Sequence, residues 1–250
     1  MKKLLLAAGV LLALTGATQA QETVRIATEG AYAPYNFLDD AGKPAGFEID
    51  LGNAMCAQAG LTCEFITNDW DSIIPNLLAG NYDLIMAGMS ITDERMETID
   101  FTQNYFPPDP SKFAAAAGAG IDPTALDGKR IGVQGGTIQA AYAEKNLASN
   151  NTVVSFGTAD QAMADLAAGN LDTILADGAY LEPVVAASSG SLEFVGEDLM
   201  IGNGIGGGLR KDETELKTKL DDALTALKAD GTVDKLIAQW FDGRGPFFAE

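Results

Sequence analysis

Histidine is missing from this chain altogether, and cysteine occurs only twice in 250 residues. The first absence removes the Ser-His and Cys-His nucleophile pairs and the commonest zinc ligand. Cations are scarce as well. There are 16 Lys and Arg against 35 Asp and Glu, a formal net charge of −19. Such a surface repels nucleic acid and anionic lipid, so neither is expected as a partner. Past Ala20 there is no long apolar run, so no membrane span is expected there.

The first residues, "MKKLLLAAGVLLALTGATQAQE", have the layout of a secretory signal peptide. Two lysines precede a short apolar run that ends in small residues. Cleavage is expected after Ala20, leaving an exported protein. An uncleaved anchor is the alternative, disfavoured by the shortness of the run. The two cysteines, Cys56 and Cys63, stand in "AMCAQAGLTCEF". In an exported chain so close a pair reads as a disulfide, with two buried thiols as the alternative. Two such ligands without histidine are a poor basis for a metal site, and nothing calls for a cofactor.

An internal echo organises the rest. Residues 71–88, "DSIIPNLLAGNYDLIMAG", match residues 160–177, "DQAMADLAAGNLDTILAD", at eight of 18 positions with a constant offset of 89. Each copy reads as a helix, a Gly-Asn turn that ends it and a buried strand. A weaker echo links "VRIATEG" at 24–30 with "KRIGVQG" at 129–135. The expectation is an α/β protein of two lobes with parallel strands joined by helices. Lobe one would comprise residues 23–107 and 203–250, and lobe two residues 108–202. The proline-rich "NYFPPDPSKFAAAAG" and the glycine-rich "VGEDLMIGNGIGGGLRKDETEL" would be the crossovers. Leu216, Leu220, Leu224 and Leu227, then Val233, Leu236, Ile237 and Trp240, lie at helical spacing, with "ADG" separating two helices.

Ligands of open α/β sheets bind beyond the carboxyl ends of the strands. That rule selects Glu29–Tyr35, Ala87–Arg95, Gln134–Gln139 and Asp177. Thr92 is a candidate N-cap, with Asp93 and Glu94 in the first turn. Arg95 then stands where a cation opposes the helix dipole. It is either paired with Asp93, Glu97 or Asp100, or is an anion clamp helped by Ser90 and by close approach to Gly88. Asp177 is either a turn residue or a carboxylate for an ammonium group. Glu29 is either an exposed edge acid or a second carboxylate favouring a cation. Tyr32 and Trp70 are either core or a stacking wall. Gln134, Thr137 and Gln139 belong to "QGGTIQ", which lacks the Lys-Ser/Thr of a nucleotide-binding loop.

The runs "ATEGAYAPYNF", "GFEIDLGNAMC", "DWDSIIPNLLAGNYDLIMAGMSIT", "RMETIDFT", "IGVQGGT" and "LRKDETEL…ALKADGTVDKLIAQWF" resemble, in order, the polar amino acid-binding proteins of bacterial ABC uptake systems. The lysine/arginine/ornithine, histidine and opine binders are most similar. The resemblance covers nearly the whole chain after the leader. It implies a two-lobe Venus-flytrap fold, each lobe a mainly parallel sheet flanked by helices, with two crossover strands as the hinge. It implies that Arg95 takes the ligand α-carboxylate, helped by Ser90, the Gly88 backbone and Thr137, and that Asp177 takes the α-amino group. Tyr32 and Trp70 would sandwich the ligand side chain, while Glu29 and Gln139 reach its polar end. Cys56 and Cys63 fall where cationic amino acid binders carry a disulfide. The implied partners are an amino acid and a membrane permease, for a monomer in the periplasm without catalytic activity. Departures are Ala87 and Gly88 in place of hydroxyls, variable positions at Gln134 and Ile138, and Asp109 in an unusually proline-rich crossover. The rival readings are a dehydratase of prephenate-like acids on the same fold, and a ligand sensor for a chemoreceptor or sensor kinase.

Overall fold

The computed structural model describes residues 23–248. The leader read over residues 1–20 lies outside them. The chain opens with β1 (Thr23–Thr28), a small antiparallel sheet of β2 (Ala31–Tyr32), β3 (Asn36–Leu38) and β4 (Pro44–Ala45), and α1 (Phe47–Ala59). It continues through β5 (Thr62–Thr67), α2 (Trp70–Leu78), β6 (Leu84–Ile85), α3 (Asp93–Thr98) and β7 (Asp100–Phe106). The next block is β8 (Ser111–Ala116), β9 (Arg130–Gln134), α4 (Ile138–Asn146), β10 (Thr152–Phe156), α5 (Ala159–Ala167), β11 (Thr173–Asp177), α6 (Gly178–Ala187) and β12 (Leu192–Leu199). The chain then returns through β13 (Ile205–Leu209), α7 (Thr214–Ala229) and α8 (Thr232–Trp240).

Two five-stranded sheets result, ordered β5-β1-β6-β13-β7 and β10-β9-β11-β8-β12. The chain crosses between them twice, from Phe106 to Ser111 and from Leu199 to Ile205. The first three strands of each sheet are parallel. The strand received by each crossing, β8 or β13, lies antiparallel to both its neighbours. Each sheet is mainly parallel, as expected, with four of its five strands running one way and the received strand alone running against them. A strand arriving from the other lobe enters from the opposite end, which local patterning does not report.

The internal echo is a structural repeat. Ile26 pairs with Leu84 in one sheet, and Ile131 with Thr173 in the other. At the foot of each unit an arginine clamps the turn after the helix. Arg25 donates to Asp83 at 2.7 Å and to the Gly80 carbonyl at 3.0 Å. Arg130 donates to Asp172 and to the Gly169 carbonyl, both at 3.1 Å. The carboxyl ends of β1, β6, β9 and β11 therefore turn to one cleft.

Helix α1 buries Phe47, Leu51 and Met55, and a left-handed Gly60 stops it at φ 69°. The disulfide Cys56–Cys63 then ties its last turn to β5. Helices α7 and α8 bury Leu216, Leu220, Leu224, Leu227, Val233 and Ile237 in the same core as α1. Each large apolar side chain so buried contributes roughly 1.5–3 kcal/mol. Phe241, just after α8, packs on Tyr35 at 4.8 Å and Phe106 at 4.7 Å, which fixes the C-terminal segment beside the first crossing. Among the described residues no helix is long and apolar enough to cross a membrane.

Candidate functional site

A cavity lies in the cleft, lined by all nine residues given a ligand role from the sequence: Glu29, Tyr32, Trp70, Gly88, Ser90, Arg95, Thr137, Gln139 and Asp177. Ala87, Gln134 and Ile138 complete the lining.

Thr92 caps α3, its hydroxyl accepting from the Arg95 N–H at 3.1 Å. The Arg95 side chain does not pair with the acids of its own helix. It donates to the Ser90 carbonyl at 2.7 Å and, across the cleft, to the Gly136 carbonyl at 3.0 Å. Its guanidinium carbon lies 5.4 Å from the centre of the Trp70 ring. Burial pushes the guanidinium down to about 10, still well on the cationic side of neutrality. Arg95 is thus a charged fork held in place by carbonyls and an aromatic face, none of which cancels its charge.

Asp177 stands opposite, at the end of β11. Its carboxylate accepts from the Tyr32 hydroxyl at 2.7 Å and from Gln139 Nε2 at 2.8 Å. Burial raises it to about 6; the Tyr32 and Gln139 hydrogen bonds and Arg95 pull it down, while nearby Asp109 adds to the rise. Glu29 ends the cavity on the first lobe and accepts from Gln134 Nε2 of the second lobe at 2.7 Å. Burial raises Glu29 to about 7, opposed by that hydrogen bond and reinforced by Asp160, Asp71 and Glu48. Two reluctant carboxylates and one uncancelled guanidinium give the cleft a defined charge pattern.

Several expected roles change in detail. Gln139 does not accompany Glu29. Its amide donates to Ser111 Oγ at 2.9 Å and to Asp177, so it braces the opposite end, and Gln134 takes the place beside Glu29. The Gly88 N–H is committed to Glu48 Oε1 at 2.8 Å, which leaves its carbonyl as the backbone group it can offer a ligand. A left-handed φ of 62° and an approach of 3.3 Å between a would-be Cβ and Tyr32 keep that position to glycine. The Thr137 hydroxyl caps α4, accepting from the Ala140 N–H at 3.1 Å while donating to the Gln134 carbonyl at 2.7 Å. Tyr32 stacks on Tyr180 at 4.5 Å and, with its hydroxyl donated to Asp177, lines the cavity together with Trp70.

Glu48 was not singled out from the sequence. It is 0% exposed and accepts from Asn36 Nδ2 at 2.7 Å, from Gly88 N–H and from the Tyr105 hydroxyl. Asn36 in turn accepts from the Gly30 N–H at 2.7 Å. One carboxylate thus fixes both loops of the first lobe that reach the cleft. The signal was present: Glu48, Leu51 and Met55 share the buried stripe of α1, where an acid needs partners.

Two α/β lobes joined by two chain crossings, with a charged cleft at the strand ends, define the class of two-lobe cleft-binding proteins. The chain belongs to the bacterial extracellular solute-binding proteins, family 3, whose family model matches residues 24–243. It is 40% identical to the lysine/arginine/ornithine-binding periplasmic protein of Escherichia coli over 97% of this chain and 98% of that protein. Identity to the histidine-binding periplasmic protein of Escherichia coli is 36%, with the same coverage. Among solved structures, a periplasmic His/Glu/Gln/Arg/opine family-binding protein from Silicibacter pomeroyi, in complex with lysine, is 50% identical with a TM-score of 0.84, covering 90% of this chain and 100% of that one.

Proposed function

We propose that this protein captures a cationic amino acid in the periplasm and delivers it to the permease of an ABC transporter. The observation that carries the reading is the charge pattern of the cleft. Arg95 presents an uncancelled guanidinium on one lobe, Asp177 a buried carboxylate on the other, and Glu29 a second carboxylate farther along. A zwitterion with a cationic side chain complements all three. Arg95 takes the α-carboxylate, Asp177 and the Gly88 carbonyl take the α-ammonium, and Glu29 with Gln134 receives the side-chain cation. Burying such a ligand costs desolvation at each charge, and charge-assisted hydrogen bonds offset it.

Residues 23–107 with 203–250, and residues 108–202, act as the two closing bodies in this reading. The first twenty residues serve as the export signal, and the mature protein works as a monomer. Binding rather than turnover is the role, in keeping with relatives named as binding proteins at 40% and 36% identity. Calorimetric titration with a panel of amino acids tests this directly. Lysine, arginine or ornithine is expected to bind tightly, and Arg95→Ala to weaken binding about a hundredfold or more, the loss of a buried charge-assisted fork. Unchanged affinity in Arg95→Ala would remove the clamp from the reading.

A further inference from the structure

Asp177 occupies the N-cap of α6, where an aspartate normally folds its carboxylate back onto the first N–H groups of its own helix. Here it makes no such bond. Its two oxygens reach instead to Tyr32 and Gln139, at the cleft. The donors it leaves behind are met from elsewhere, by the first crossing between the lobes. The Gly178 N–H donates to the Pro110 carbonyl at 2.8 Å, and the Ala179 N–H donates to Asp109 Oδ2 at 3.0 Å. The contact is close enough that a Cβ on Gly178 would stand 2.8 Å from the Pro110 oxygen.

Asp109 is itself held in register. Its other oxygen accepts from Arg244 Nη1 at 2.8 Å, and Arg244 Nη2 donates to Glu182 Oε2 of α6 at 2.5 Å. The short "FPPDP" run, with three prolines limiting the backbone, carries the carboxylate to the helix end.

We propose that Asp109 is a positioning residue for ligand binding: it caps α6 in place of Asp177 and so frees the Asp177 carboxylate for the α-ammonium group of the ligand. Without it, the uncapped Ala179 N–H competes for Asp177, and the carboxylate turns from the cleft toward its own helix. The inference rests on the assignment of Asp177 to the α-ammonium group made above.

The test compares L-lysine with ε-aminocaproate, which is lysine without its α-amino group, by calorimetry on the full mature protein. Wild type is expected to prefer lysine strongly; no preference would overturn both the ammonium assignment and this inference. Asp109→Ala is expected to shrink the preference about tenfold or more, through weaker lysine binding, with ε-aminocaproate changed less than about threefold. Asp109→Ser keeps a polar group but lacks the reach, and serves if the alanine variant does not fold; the same loss is expected. Asp109→Asn retains an oxygen that can cap and is expected to keep the preference. Three results would overturn the proposal while leaving the ammonium assignment standing: full preference in Asp109→Ala or Asp109→Ser, equal loss for both ligands, or Asp109→Asn behaving like the alanine variant. The last would assign the effect to the ion pair with Arg244.

Discussion

At the scale of residues, the polarity around Glu48 decides what can replace it. Its carboxylate faces donors from Asn36, Gly88 and Tyr105, and burial raises its pKa against the pull of those hydrogen bonds. Glutamine has the same shape, but it offers one acceptor oxygen and brings two donors of its own. Glu48→Gln therefore leaves a buried donor facing a donor, at a cost of about 1–3 kcal/mol. The urea midpoint is expected to fall accordingly. An unchanged midpoint would mean that Glu48 is already protonated in the folded protein. The sequence put Glu29 and Asp177 at strand ends and Arg95 in the first turn of a helix capped by Thr92, because strands, turns and caps are written locally. It could not say that Gln139 meets Asp177 and Gln134 meets Glu29. Those pairings depend on how α4 is rotated over its sheet and on how the second lobe sits against the first.

At the scale of elements, the disulfide closes the segment between α1 and β5, with a sequence separation of 7. A loop this short restricts the unfolded chain modestly, by about 2–3 kcal/mol on the chain-entropy account. Replacing both Cys56 and Cys63 by serine is expected to lower unfolding free energy by that amount. Ligand affinity should stay within about threefold, since neither cysteine lines the cleft. A large loss of affinity would show that α1 transmits strain to the Gly88 loop through Glu48. Helix ends were legible where a Gly-Asn turn punctuates them, as at Gly80 after α2 and Gly169 after α5, and where a threonine caps, as at Thr92. The antiparallel entry of β8 and β13 was not legible. Strand direction after a crossing is a property of the assembled sheet, and the residues of β13, "IGGGL", carry no pattern that fixes it.

At the scale of the whole molecule, closing the cleft removes Glu29 and Asp177 from water, and both resist ionisation there, at about 7 and about 6. Above those values the closed cleft holds two desolvated negative charges against the single Arg95 guanidinium, and the excess opposes closure unless a second cation is enclosed. As pH falls below them the acids take up protons and the penalty lifts. The sign for ligand binding is opposite. In the closed cleft a cationic amino acid needs both acids ionised, so its entry into that form displaces the protons they hold below about pH 7, and affinity falls as the solution is acidified. Calorimetry of lysine binding at pH 6, in buffers of different ionisation enthalpy, is expected to show net proton release that vanishes near pH 8. Glu29→Gln should remove the part centred near 7, and its persistence would move the titration to another group.

The duplicated unit has a consequence for direction. Gly88 and Asp177 occupy matching points in the two copies of one sequence pattern. If both positions carried the same residue, the cleft would have near-twofold symmetry, and a short ligand could lie in it either way round. With bare backbone on one side and a carboxylate on the other, the cleft has a head and a tail. A guest has one productive orientation, and with the ends fixed a third contact, at its side chain, is enough to tell one mirror image of an amino acid from the other.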